Sequence, residues 1–190
     1  MSEYLVPFMD AESEFVEKRS RFITHLWKVE SEAEARSRIE EMKKKYYDAR
    51  HNCWCYILRE GTVRYSDDGE PQGSSGLPTL EAIRKKGVFD CVVVTTRYFG
   101  GTLLGVGGLI RAYSHAASIA LEAANIITYE KFTEFMLETT YSDYQLILQE
   151  LPRYGVLTDD SEFSDRVTLT LAVKCTQYED LCTRLGDVTA

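Results

Sequence analysis

The spacing of apolar residues changes period several times along this chain, and each change marks an element. Phe15, Val16, Phe22, Ile23, Leu26, Trp27 and Val29 flank the polar run Glu17-Lys18-Arg19-Ser20, predicting two short strands around a turn. Ser31 then opens a helix, Glu34 completes a capping box, and Ala35, Ile39, Met42 and Tyr46 recur along one apolar face. Arg36, Lys43 and Lys44 lie on its opposite, solvated face. Strand character returns from Asn52 to Leu58, and Thr62 to Ser66 is placed to pair with it across the Glu60-Gly61 turn. Pro78 suits the first turn of a short helix through Lys86, ended by Gly87. Cys91 to Phe99 has no polar face in its valine run, so it predicts a strand buried on both sides.

That strand feeds a glycine-rich loop. Gly100, Gly101, Gly105, Gly107 and Gly108 are five of the chain's twelve glycines. A cluster of this kind implies positive φ angles or a close backbone approach. A long helix follows to about Ala124, with Gly108, Ala112, Ala116, Ala120 and Ala124 as a small-residue line able to lie close against a sheet. Arg111, His115, Ser118 and Glu122 occupy another face.

After Asn125 the pattern restarts. Thr133, Phe135, Leu137 and Thr139 alternate as a strand; Tyr144, Ile147, Leu151 and Tyr154 form a helix face ending at Gly155. Val156 to Phe163 reads as a strand, and Val167, Leu169, Leu171 and Val173 alternate as another. Thr176 and Glu179 make a second capping box ahead of Tyr178, Leu181 and Leu185. The order β-α-β-β-α is one strand short of a βαββαβ sandwich, and the end near Ala190 comes early for the last strand. The expected class is α+β, with two two-layer sandwich domains over residues 1–128 and 129–190.

Composition narrows the setting. No apolar run reaches the roughly 18–20 residues of a membrane span, and Met1-Ser2-Glu3-Tyr4 has no secretory character. Five cysteines without framework spacing read as reduced thiols in a cytoplasmic protein. The net charge of −8 is uneven: residues 129–190 hold 12 acidic and 5 basic side chains, leaving 18 and 17 in the rest. From Thr95 to His115 there are two arginines and no acid. The glycine loop therefore sits in a locally positive stretch.

Candidate chemistry concentrates there. The dinucleotide pattern fails because Ile110 stands where a glycine is needed, and the P-loop fails at Val106-Gly107. Two readings of the loop remain. Uncapped N–H groups beside Arg97 and Arg111 suit an anion; alternatively the glycines only let strand and helix approach. Tyr98 and Phe99 are either core or a stacking platform for bases. Asp67, Asp68 and Glu70 form either a turn or a Mg²⁺ or acid–base cluster. His51, Cys53 and Cys55 alternate along a strand, a spacing unsuited to one zinc ion. Ser74 and Ser75 lack a nucleophile elbow, since Leu77 replaces its second glycine. No serine triad or cofactor motif emerges; a Cys–His pair of Cys53 or Cys55 with His51, His25 or His115 remains an alternative, with no third group marked to orient it.

Asp67 through Gly76 (DDGEPQGSSG), Arg97-Tyr98-Phe99-Gly100-Gly101, Leu104-Gly105 and Gly107 through Tyr113, with Arg50-His51-Asn52-Cys53-Trp54, resemble the IMPACT/YigZ family, in its bacterial two-domain branch. The resemblance covers nearly the whole chain. It departs from the family's Gly-Thr-Ala-Gly at Gly73-Ser74-Ser75-Gly76. It implies a first domain similar to one in a small-subunit ribosomal protein and elongation factor G, and a second similar to that factor's ferredoxin-like C-terminal module. Eukaryotic relatives regulate translation by binding the activator of a starvation-responsive initiation-factor kinase; for bacterial relatives, RNA or ribosome association is an analogy from fold.

The reading that follows is a translation-linked binding protein contacting RNA, the ribosome or a protein partner of translational control, with no membrane partner and no cofactor. Arg97, Tyr98, Gly100, Gly101, Gly105, Gly107, Gly108 and Arg111 would bind the anion. His51, Asp67, Asp68, Glu70, Ser74 and Ser75 would form the rim. The alternative is a metal-dependent hydrolase using Asp67, Asp68 and Glu70. A third reading has the acidic second domain docking on a basic partner.

Overall fold

The computed structural model describes residues 3–189; Met1, Ser2 and Ala190, and the readings made at the two chain ends, lie outside it. Two compact units appear, residues 4–129 and residues 130–189, the latter with Glu3. The α+β class holds for both.

The larger unit is built on β6 (Cys91–Tyr98), the centre of a five-stranded antiparallel sheet. On one side it pairs with β3 (Ser20–Lys28), which pairs with β2 (Ala11–Glu17). On the other it pairs with β4 (His51–Ile57), which pairs with β5 (Val63–Ser66). The turn between β2 and β3 is Lys18-Arg19, both at positive φ (45° and 67°), the twist a tight hairpin needs.

Alternation along β6 sends its residues to two cores. Val93 faces α2 (Gly76–Lys86) and α3 (Val106–Ala123), among Leu26, Cys55, Leu80, Ile83 and Ala120. Val92 and Val94 face α1 (Glu32–Lys45), against Ala35, Ile39 and Met42. All three valines are fully buried. Each such side chain contributes roughly 1.5–3 kcal/mol, so a strand without a polar face is stable only between two cores. The sheet thus carries helices on both faces, one layer more than the two-layer pattern predicts. The physical reason is α1, whose apolar stripe needs a surface and finds the face opposite α3.

Two of the expected helix signals are present, the Ser31 capping box and the Gly87 stop. Glu34 N–H donates to Ser31 Oγ (3.2 Å), while the Glu34 carboxylate accepts from Glu30 N–H (2.7 Å). Gly87 closes α2 at φ 69°. The small-residue line of α3 is buried at Ala112, Ala116, Ala120 and Ala124. One element has no counterpart in the pattern: β1 (Glu3–Pro7) pairs with β7 (Ile126–Glu130) as a separate two-stranded sheet. Both strands are short and do not alternate, and their pairing is long-range, so no local signal marks them.

In the smaller unit, β8 (Phe132–Thr139), α4 (Tyr141–Glu150), a 3-10 turn (Leu151–Tyr154), β9 (Leu157–Phe163), β10 (Val167–Lys174) and α5 (Tyr178–Thr189) follow in sequence. The antiparallel sheet has the order β8-β10-β9. Val167, Leu169, Leu171 and Val173 bury one face under Ile147, Leu151, Leu181 and Leu185. Arg184 Nε donates to Glu150 Oε2 (3.0 Å) and ties α5 to α4. Among the described residues, no helix is long and apolar enough to cross a membrane.

Candidate functional site

The cleft of interest lies where β6 ends and α3 begins. Three local structures build it. The first is the loop from Ser66 to Gly76, organised by the Asp67 carboxylate. Its Oδ2 accepts from Gly73 N–H (2.7 Å) and its Oδ1 from Ser75 N–H (3.0 Å), Gly76 N–H (2.9 Å) and Ser75 Oγ (2.8 Å). Burial raises the Asp67 pKa, but these donors outweigh it and hold the carboxyl below its usual value. Asp67 is in effect the N-terminal cap of α2. Gly76 is required here because a Cβ would stand 2.7 Å from Ser66 O.

The second structure is the turn that delivers Glu70. Glu70 N–H donates to Asp67 O (2.9 Å), with Asp68 at φ 42° and Gly69 at φ 83°. Asp68 is also engaged: its Oδ2 accepts from Asn52 N–H (2.6 Å), and its carbonyl accepts from His51 Nδ1 (2.8 Å). Ser74 Oγ donates to Pro71 O (2.6 Å). Asp67, Asp68, Ser74 and Ser75 therefore shape the loop, and none of them lines the cleft.

The third is the glycine loop. Gly101 and Gly105 have φ of 83° and 73°, and a Cβ on Gly100 would meet Arg19 backbone atoms at 2.0 Å. Gly108 fits against Leu104, where a Cβ would stand 3.0 Å from that side chain's Cβ. Positive φ accounts for Gly101 and Gly105, and close packing for Gly100 and Gly108. Gly105 caps α3 without any side-chain hydrogen bond, and the first turn of α3 has no acidic residue. The partial positive charge at that helix end is uncompensated by any side-chain cap.

Between them lies a cavity of about 390 Å³ lined by Arg50, His51, Glu70, Arg97, Phe99 and Gly105, among others. At its floor, Glu70 Oε1 accepts from Arg97 Nη1 (2.7 Å) and from Tyr113 Oη (2.9 Å). The ion pair is buried, with side-chain exposures of 6% and 3%. Arg97 Nη2 lies 3.4 Å from Ser20 Oγ, its guanidinium lies near the Phe22 and Phe99 rings, and its buried Nε has no hydrogen-bond partner among the described residues. Removing one partner would strand a buried charge, which costs about 3–5 kcal/mol. Burial also drives the Tyr113 phenol pKa well up, so it stays a neutral donor. Cys53 Sγ lies 3.3 Å from Tyr113 Oη, and burial pushes its thiol up to about 12, which leaves no thiolate for catalysis.

The sequence-predicted set is thus divided. His51, Glu70, Arg97 and Gly105 meet in the cleft. Tyr98 does not: successive strand residues face opposite ways, and its hydroxyl donates to Asp48 Oδ1 (2.8 Å) on the α1 side. Arg111 and Gly108 line a neighbouring cavity with Lys18 and His115, on the far side of Leu104. On a helix, Leu109 and Arg111 project about 200° apart, so only Leu109 reaches the first cleft. Gly100, Gly101 and Gly107 line neither cavity. No group of three potential metal ligands occurs among the described residues. Sequence reasoning left out Arg50, Tyr113 and Leu103. Arg50 was adjacent to His51, but Tyr113 reads as an ordinary core position of α3.

This fold and cleft define a two-domain protein whose larger unit matches the Impact N-terminal domain over residues 18–121 and whose smaller unit matches a domain of unknown function over 137–190. The IMPACT family member YvyE of Bacillus subtilis (strain 168) is 37% identical over 158 residues, 82% of this chain and 73% of its own. YigZ of Escherichia coli (strain K12) is 29% identical over 191 residues, covering 98% and 94%. A solved structure described as that of a hypothetical protein is 29% identical over 98% of this chain and 93% of its own, with a TM-score of 0.67. The chain belongs to the IMPACT family.

Proposed function

We propose that this chain is a translation-linked regulatory binding protein that holds an anionic group, an RNA phosphate or an acidic group of the ribosome or of a protein partner, at the start of α3. The observation that carries the anion reading is the first turn of α3, which has no side-chain cap and opens on a cleft containing Arg50 and Arg97. The translational role rests on the family resemblance. Arg97 is largely neutralised by Glu70, so Arg50 and the helix end supply most of the attraction, with Arg111 acting from the adjoining cavity. Hydrolysis through Asp67, Asp68 and Glu70 has less support, because donors within the fold already engage all three carboxylates.

The test is single-stranded RNA binding by wild type, Arg50→Gln and Arg111→Gln across a salt series. Arg97 is left intact because its loss would disturb the core. Each substitution is expected to weaken binding and to reduce the log–log salt slope by about 0.7. Unchanged affinity and slope in both variants would refute phosphate contact at this site.

A further inference from the structure

The floor of the cleft holds two hydrogen-bond acceptors facing each other. Glu70 Oε1 already receives Arg97 and Tyr113, while no hydrogen bond reaches Oε2 among the described residues. His51 Nε2 stands 3.7 Å from that Oε2. The His51 tautomer follows from its other nitrogen. Nδ1 lies 2.8 Å from the Asp68 carbonyl oxygen, which can only accept, so Nδ1 carries the proton and neutral His51 presents a lone pair at Nε2. Both acceptors belong to residues lining the cavity, and the Glu70 side chain is 97% buried, its exposure being 3%. Two unsatisfied acceptors at this separation need a group with at least two protons. A hydroxyl brings one and a water two; an ammonium brings three and, unlike water, adds a positive charge beside a buried carboxylate.

The same cavity offers the complementary end. The first turn of α3 and Arg50 favour an anion. The outer wall is apolar and open to solvent, with Phe99 44%, Leu103 82% and Val106 52% exposed. A volume of about 390 Å³ falls within the roughly 300–1,000 Å³ of small-molecule sites.

We propose that this cleft binds a small zwitterion of the α-amino acid class with an apolar side chain. Its ammonium donates to Glu70 Oε2 and His51 Nε2, its carboxylate lies at the first turn of α3 beside Arg50, and its side chain rests on Phe99 and Leu103. The carboxylate end rests on the anion reading given above; the ammonium end does not.

Amide-detected NMR titration of the full chain with four probes separates the parts: leucine, N-acetyl-leucine, leucinamide and adenosine monophosphate. Leucine is expected to give saturable shifts at Gly69, Glu70 and Val106, with N-acetyl-leucine and leucinamide each at least tenfold weaker. N-acetyl-leucine binding as tightly as leucine would overturn the ammonium subsite and leave the anion reading standing. Leucinamide binding as tightly as leucine would overturn the carboxylate end, and with it anion binding in this cleft. Adenosine monophosphate binding more tightly than leucine would overturn the proposal in favour of a nucleotide site. No saturable shift with any probe would leave the acceptor pair without a small-molecule ligand of this class. That result too would overturn the proposal, while the RNA salt series still reports on the function above.

Discussion

Replacing Asp67 by alanine removes the acceptor of four hydrogen bonds, at 2.7, 3.0, 2.9 and 2.8 Å, from Gly73, Ser75 and Gly76 N–H and Ser75 Oγ. Hydrogen bonds to a charged group contribute about 1.5–3 kcal/mol each when measured singly, but bonds sharing one carboxylate are not additive. Asp67 is half-buried, and water can replace part of what is lost. Loss of an N-cap alone costs about 0.5–2 kcal/mol. A total near 3 kcal/mol at neutral pH is therefore expected for Asp67→Ala, a fall in Tm of about 6–12 °C for a chain of this size. Asp67→Asn should fall between: its Oδ1 still accepts, but its amide nitrogen would face Gly73 N–H, donor against donor. The pH dependence follows from the lowered native pKa of Asp67. A carboxyl with a lower pKa folded than unfolded stabilises fully above the unfolded value, about 3.9, and loses that contribution as pH falls through the folded value. The difference between wild type and Asp67→Ala should be flat above about pH 5 and shrink below about pH 4. Urea denaturation at several pH values measures it. A difference under about 0.5 kcal/mol at pH 7, the scale of an ordinary surface substitution, would refute the capping role.

Two further perturbations probe the loop and the core. Gly100→Ala puts a Cβ 2.0 Å from the Arg19 backbone and should destabilise by about 3 kcal/mol or more, whereas Gly107→Ala, with Arg111 Nη1 at 3.6 Å and no positive φ, should change stability by less than about 0.5 kcal/mol. Similar urea midpoints for the two would show that close approach is not what selects glycine at position 100. Alkylation of native protein at pH 8, read by mass spectrometry, should modify exposed Cys182 readily and spare Cys53, Cys55 and Cys91 until unfolding, since burial raises all three thiol pKa values, Cys53 and Cys91 to about 12. Native-state labelling of Cys53 at the Cys182 rate would contradict the burial of the cleft floor.

Local pattern determined much of this protein. Strands β2 to β6 and β8 to β10, the Ser31 cap of α1, the Gly87 stop and the apolar line of α3 all follow from near-neighbour periodicity and capping chemistry, which act over a few residues and are written in order along the chain. The glycine cluster likewise marked the point where backbone conformation matters most. What a linear reading could not decide was direction and partnership. Arg97 and Tyr98 are neighbours in sequence, yet alternation in β6 sends one to Glu70 and the other to Asp48. Arg111 lies near Arg97 in sequence, yet the helical turn places it in another cavity. The DDGEP segment reads as a carboxylate cluster, but only the fold shows that Asp67 caps α2, Asp68 holds β4, and Glu70 alone turns inward to Arg97, Tyr113 and His51. Tyr113 joined the site unannounced, because a core tyrosine and a site tyrosine have the same local pattern. These choices depend on contacts between residues tens of positions apart, which only the closed tertiary structure brings within hydrogen-bond distance.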